Sequence, residues 1–161
     1  MASQSKIVHT IAVTFAGIAL TFIAACKEKP PAPLSQEFPL NAMVVTFENF
    51  VPLNDKSLYW CLEVDGKDPS NMALAAMRAK GANVAAASEC TYNIDEPGSV
   101  HDGTGQLAEF VRLRRYKRIT KNQAEVEYSK YRHGTWGSFG ICQLEYFHGE
   151  WIVSCKSMGV S

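Results

Sequence analysis

The sequence predicts an α+β domain in which two N-terminal helices pack on one curved antiparallel sheet tied by two disulfides. Three observations predict it. Helical apolar spacing is confined to residues 40–51 and 68–81, β-branched and aromatic segments separated by short turns fill 107–158, and four cysteines lie beyond residue 60. Helices early and a long meander late put the helices on one face of a single sheet.

The globular part begins near Phe38. Leu40, Met43, Val44, Phe47, Phe50 and Val51 recur at helical spacing, although Val44-Val45-Thr46 also suits a strand, and Pro52 stops the run. Ser57 to Asp65 is β-branched and aromatic enough for a strand, and Gly66-Lys67 turns the chain. The second helix follows. Asp68 suits its N-cap and Pro69 its first position, Met72, Leu74 and Met77 supply an apolar stripe, Arg78 and Lys80 suit the negative end, and Gly81 suits the C-cap. From Ser88 onward the chain reads as strands, clearest at Leu107 to Ile119, Gln123 to Arg132, Trp136 to Phe147 and Trp151 to Met158, with no internal repeat.

A register follows for the last hairpin. His148-Gly149 is a two-residue turn in which Gly149 can take positive φ. Phe147 then faces Glu150, and counting outward pairs Tyr146 with Trp151, Leu144 with Val153 and Cys142 with Cys155. That last pair falls at a non-hydrogen-bonded position, where side chains approach most closely. A cross-strand Cys142–Cys155 disulfide is expected, and Cys61–Cys90 follows by elimination, closing a loop around the second helix.

This order of elements is similar to the cystatin-like and nuclear-transport-factor-2-like architectures. The resemblance is one of element order, and such folds host enzymes, ligand carriers and binding modules, so it does not choose a function.

The N-terminus is more specific about location. Ile7 to Ala25 is an apolar run of about 19 residues after the basic Lys6, holding Val13, Phe15, Ile18, Leu20 and Phe22 and ending in Ile23-Ala24-Ala25-Cys26. These parts form a secretory signal, and the last four residues resemble the lipobox of bacterial lipoproteins: an aliphatic residue, two small ones, then Cys. The resemblance implies that residues 1–25 are removed and that Cys26 becomes the first residue, acylated with palmitate-type chains. An uncleaved anchor is the competing reading, but a spanning helix wants roughly 20 uninterrupted apolar residues, and His9, Thr10, Thr14 and Thr21 interrupt this one. An ordinary cleavage site beside an accidental Cys is the other. Residue 27 is Lys, whereas Asp there in lipoproteins resembles an inner-membrane retention signal. The resemblance therefore implies the outer membrane of a Gram-negative cell, with the domain facing the periplasm.

Loss of residues 1–25 removes Lys6, so the 16 basic residues become 15 against 16 acidic ones. Net charge near −1 favours no class of partner, and nucleic acid is disfavoured. Roughly 135 residues remain, enough for one core. Residues 26–37 form a tether: three prolines, alternating charge and little to bury. Residues 38–161 form the single domain.

No enzyme, cofactor or metal is expected. The mature histidines, His101, His133 and His148, each sit beside a Gly-containing turn, and pairing all four remaining cysteines leaves no thiol for a Cys–His pair. GxSxG, SxxK and HExxH are absent, as is CxxC, and an exported chain favours disulfides over a thiolate metal site. Asp65 and Asp68 have structural duties at a strand end and a helix cap. Two-carboxylate glycoside chemistry leaves no spacing signature and stays open.

Two segments suit a partner. The first is the basic strand holding Arg112, Arg114 and Arg118. A turn at Lys121-Asn122 would set Arg118 opposite Glu125 and Tyr116 opposite Glu127, so cross-strand pairing accounts for much of its charge, and an anionic partner is the functional reading. The second is Arg132-His133-Gly134-Thr135-Trp136-Gly137-Ser138-Phe139-Gly140, where Arg132, His133, Trp136 and Phe139 combine the residue types of binding hot spots with glycine freedom. Trp136 could equally fold into the core. The sequence therefore points to a lipid-anchored envelope protein that binds another protein, of inhibitor or immunity type; an envelope scaffold and a small-ligand-binding or hydrolytic domain are the alternatives.

Overall fold

A computed structural model describes residues 34–95, 98–133 and 136–160, with Trp136 described by its backbone alone. Residues 1–25, where a signal segment is expected, Cys26 and residues 27–33 of the expected tether lie outside the described residues. Among those described, no helix is long and apolar enough to cross a membrane.

Helix α1 spans Leu40–Glu48 and buries Ala42, Val44, Thr46 and Phe47, the face that the apolar spacing marks out. Thr46 is tolerated inside because its hydroxyl donates to the Ala42 carbonyl at 2.7 Å. Strand β1, Tyr59–Val64, follows, then helix α2, Asn71–Ala79. The cap of α2 is Ser70, whose side chain accepts from the Ala73 N–H at 3.2 Å, and not Asp68. Asp68 has another partner. Its carboxylate accepts from the Ser88 N–H at 3.0 Å and the Ser88 hydroxyl at 2.6 Å, tying the entry of α2 to the chain beyond it. Those two bonds, the hydroxyl first, hold its carboxyl below the usual carboxylate range. Gly81, at φ +89°, ends α2 as expected.

The remaining strands are β2 (Val84–Ala86), β3 (Cys90–Thr91), β4 (Val100–His101), β5 (Ala108–Thr120), β6 (Gln123–His133), β7 (Trp136–Phe147) and β8 (Glu150–Val160). Six of the eight described strands form one sheet in the order β2-β1-β5-β6-β7-β8, while β3 and β4 pair separately. The α+β class with two helices and two disulfides holds. The all-antiparallel sheet with both helices at its N-terminal side does not: α2 lies between β1 and β2, and β1 runs parallel to both β2 and β5. Side-chain alternation is the same in parallel and antiparallel strands, so strand composition carries no sign of direction. The connection decides it, because a helix between two strands allows the crossover that parallel neighbours require.

Alternation then sorts the two faces. Trp60 and Leu62 of β1, Val111 and Leu113 of β5, Val126 and Tyr128 of β6, Leu144 of β7 and Trp151 of β8 join Phe47, Leu74 and Met77 of the helices in the main core. Full burial of each such large side chain contributes about 1.5–3 kcal/mol. Cys61, Ala85, Ala108 and Phe110 point to the opposite face and, with Cys90, make a second small cluster.

The β7–β8 hairpin has the expected register: Phe147↔Glu150, Tyr146↔Trp151, Leu144↔Val153 and Cys142↔Cys155. His148 at φ +49° and Gly149 at φ +93° are both left-handed, the requirement of the tight turn whose twist matches the strands. Cys142 and Cys155 are bonded with Cα atoms 3.9 Å apart, and Cys61 is bonded to Cys90. Two disulfides suit an oxidising, non-cytoplasmic compartment.

The β5–β6 hairpin departs from expectation. Thr120 faces Gln123, but Arg118 faces Ala124, Lys117 faces Glu125 and Arg114 faces Glu127, with register shifts at two points. Arg118 is thus not opposite Glu125, nor Tyr116 opposite Glu127. Each shift gives β5 one more residue than β6, a β-bulge. The bulge after Arg114 places Arg115 at φ +53° and turns Tyr116 to the core side, with its ring stacked on Phe38 at 4.4 Å. Burial raises the Tyr116 phenol above its ordinary value, partly offset by the nearby Arg118 charge.

Removing the Cys61–Cys90 bond by a double Cys→Ala substitution frees a 29-residue separation and is expected to cost about 3–4 kcal/mol on the chain-entropy account. Urea denaturation of the variant beside the parent checks this, a loss of unfolding free energy under about 1 kcal/mol counting against a closed loop.

Candidate functional site

The reverse face of the sheet, away from the helices, carries most of the chemistry. Glu63 on β1 receives two arginines from β5: Arg112 Nε at 3.3 Å and Arg114 at 3.1 Å. Arg112 also lies over the rings of Tyr92, at 5.0 Å, and Phe110, at 5.1 Å. Its guanidinium is therefore clamped from three sides, and the aromatic faces favour its charge. Arg115 bonds both carboxylate oxygens of Glu127, at 3.0 and 3.2 Å, while Lys117 is 4.0 Å from Glu125. The bulge is anchored as well, because the Arg115 N–H donates to Asp65 at 2.8 Å. Pairing neutralises most of the basic strand, and exposed pairs of this kind contribute only about 0–1 kcal/mol each.

Beside this ladder the apolar character rises. Phe139 is 49 % exposed and Met158 63 % exposed, and with Arg114, Glu127, Ser129 and Ile141 they line an open hollow of about 350 Å³. A wider hollow of about 530 Å³ lies at the other end, among Glu63, Lys67, Asp68, Tyr92 and Phe110. Tyr92 and Tyr131 meet at 4.6 Å between ring centroids. The Tyr131 phenol is pushed up to about 12, chiefly by its hydrogen bond with Tyr92 and secondarily by burial.

Of the residues expected to bind a partner, Arg112, Arg114 and Phe139 share this face, and Arg114 and Phe139 border the same hollow. Arg118 does not join them. Its guanidinium donates to the Lys121 carbonyl at 2.8 Å, at the hairpin end. His133 pairs with Trp136 in the β6–β7 ladder, whereas Gly134, Thr135 and the Trp136 side chain lie outside the described residues.

Arg132 belongs to the helix-covered side. There Glu109, only 3 % exposed, sits opposite Trp60 and takes Lys130 at 3.0 Å and Arg132 at 3.7 Å, with the Lys130 ammonium 4.7 Å from the Trp60 ring centroid. Glu109 was not among the expected site residues, since it stands in the apolar run Ala108-Glu109-Phe110. Alternation on β6 could have found its partners, because Lys130 and Arg132 follow Tyr128 at a period of two.

The histidines are dispersed into local structure. His101 stacks on Tyr59 at 3.9 Å and its Nδ1 lies 3.0 Å from the Thr104 hydroxyl; His148 sits in the β7–β8 turn against Phe147. Among the described residues no three His, Cys, Asp or Glu side chains converge as metal ligands. No known protein family, curated protein or solved structure matches this chain.

Two outcomes follow. Glu109→Gln takes the carboxylate charge at 3.0 Å from Lys130 and is expected to cost about 1.5–3 kcal/mol. Glu127→Gln on the exposed ladder should cost under about 1 kcal/mol, and chemical denaturation of both variants separates the two. In a spectrophotometric titration the parent should show a phenol ionising near pH 12, absent in Tyr131→Phe and moved down in Tyr92→Phe. Because the folded value lies above the unfolded one near 10, this phenol stabilises fully below pH 10, and that contribution disappears as pH rises towards 12.

Proposed function

We propose that this protein is a lipid-anchored cell-envelope binding protein, tethered by acylated Cys26 to the outer membrane and facing the periplasm. It acts by protein–protein contact, as an inhibitor or immunity protein that neutralises a hydrolase or toxin reaching that compartment. The observation that supports this reading best is the reverse face of the sheet. Phe139 stands half exposed next to Arg114 on a disulfide-tied sheet, beside β5 arginines already paired with Glu63 and Glu127. An exposed aromatic beside an arginine in a shallow hollow is the arrangement of an interface hot spot. The helix-over-sheet layer supports the likeness in element order to cystatin-like or nuclear-transport-factor-2-like architectures, from which the parallel placement of β1 and β2 departs. Catalysis has no part in this reading, and neither does a cofactor.

One observation favours a second reading. The hollow of about 530 Å³ brings Glu63, Lys67 and Asp68 together with Tyr92 and Phe110, polar groups and aromatic walls suited to a small ligand. An envelope scaffold shares the anchored-binding chemistry without inhibition.

Affinity capture from envelope extract with the full chain distinguishes these readings. The expected result is a retained wall-degrading enzyme or toxin whose activity falls on adding the protein, with retention reduced at least about tenfold by Phe139→Ala, a loss of ~1.4 kcal/mol. Co-purification of a metabolite with no protein retained would overturn it. Labelled palmitate should enter the chain and be lost in Cys26→Ser, together with membrane association.

A further inference from the structure

The two edges of the six-stranded sheet are finished differently. β2 is three residues long, and side chains occupy its outward backbone groups: Arg78 Nε donates to the Val84 carbonyl at 3.0 Å, and Glu89 accepts from the Ala86 N–H at 3.0 Å. β8 runs for eleven residues and pairs only with β7 among the described strands.

The hairpin register tells which groups of β8 are left over. The two-residue turn makes Phe147↔Glu150 a hydrogen-bonded pair, so Tyr146↔Trp151, Leu144↔Val153 and Cys142↔Cys155 are non-hydrogen-bonded pairs. The N–H and C=O groups of Trp151, Val153 and Cys155 therefore point away from β7, in a row along the edge. Ile152, Met158 and Val160 are 56 %, 63 % and 82 % exposed along the same strand, which contains no proline. Proteins ordinarily blunt edges with such exposed apolar residues, and on β8 only Lys156 and the register shift at Met158 do so, leaving Glu150 to Lys156 a regular run.

We propose that β8 pairs antiparallel with β8 of a second copy of this chain, about a twofold axis through Val153. Outward groups must meet outward groups, which admits only registers in which Trp151, Val153 and Cys155 face one another. Centring on Val153 uses all three, sets Trp151 against Cys155 of the second copy, and forms about six ladder hydrogen bonds. The same register places Glu150 opposite Lys156 of the second copy, twice by symmetry. These are the charged residues of β8, and no neighbouring register pairs them. A shift to a centre at Ile152 sets Glu150 against Ser154 and leaves Lys156 beyond the paired stretch. Among the registers that backbone geometry admits, charge thus selects one alignment, which joins the two sheets into one of twelve strands with both reverse faces on the same side.

The test is density-matched sedimentation equilibrium of the full chain in non-ionic detergent over a dilution series. The expected result is a monomer–dimer equilibrium. Lys156→Glu should weaken it by about tenfold by setting like charges against each other, and the double variant E150K/K156E should restore it. Val153→Pro removes the N–H on the axis at a position where β7 takes no bond from it, and should abolish the dimer while peptide mapping still recovers both disulfides. A monomer at every concentration, larger open-ended oligomers, or a dimer unaffected by Val153→Pro or by the charge substitutions would each overturn the proposal.

Discussion

Strand register is the constraint on which the rest of this structure depends. A slip of one residue exchanges the faces of a strand, so the core of a sheet covered by helices on one side survives only if every hairpin keeps its parity. Two devices keep it. The His148-Gly149 turn, with both residues left-handed, locks β7 against β8 and brings Cys142 to Cys155 on the core side. In β5 the bulge at Arg115 resets parity within the strand, so Val111 and Leu113 before it and Tyr116 after it all face the helices. Without the extra residue Tyr116 would point to the charged face, and its stacking on Phe38 would be lost.

The reverse face inherits its character from the same alternation. Since β1, β5 and β6 show their other residues there, Glu63, Arg112, Arg114 and Glu127 fall within reach across three strands. The basic strand is therefore a neutralised ladder and not a free cationic strip. The exposed apolar residues gather instead on β7 and β8, at Phe139, Ile152 and Met158, so the face grades from charge to hydrophobic surface towards its open edge. Glu109 is the exception on the helix side. Burying its carboxylate with Lys130 and Arg132 is expensive unless the three are made together, which ties the ends of β5 and β6 to one arrangement.

Much of the fold could be read before any coordinates. The four long strands and both helices lie within a few residues of where periodicity puts them, and the disulfide pairing follows from a turn two residues long. What could not be read has physical reasons. Strand direction leaves no trace in alternation, so the parallel placement of β1 was hidden. Ser70 and Asp68 are both competent caps, and only the contact with Ser88 shows why Asp68 is used elsewhere. Arg115 is a non-glycine residue in a left-handed conformation, which its identity does not announce, although Tyr116 falling out of step with Val111 and Leu113 was a visible sign. The site was legible in part: Arg112, Arg114 and Phe139 do share a face, whereas Arg132 follows the alternation of Tyr128 and Lys130 to the other side.

The direct measurement of this account is the pattern of cross-strand nuclear Overhauser contacts in the labelled protein. It should contain Leu144 with Val153 and Cys142 with Cys155 in one hairpin. In the other it should contain Arg114 with Glu127 together with Lys117 with Glu125, the offset that the Arg115 bulge requires. Contacts placing Tyr116 opposite Glu127 would mean an unbulged strand with its faces exchanged, and both the core and the reverse-face surface described above would be wrong.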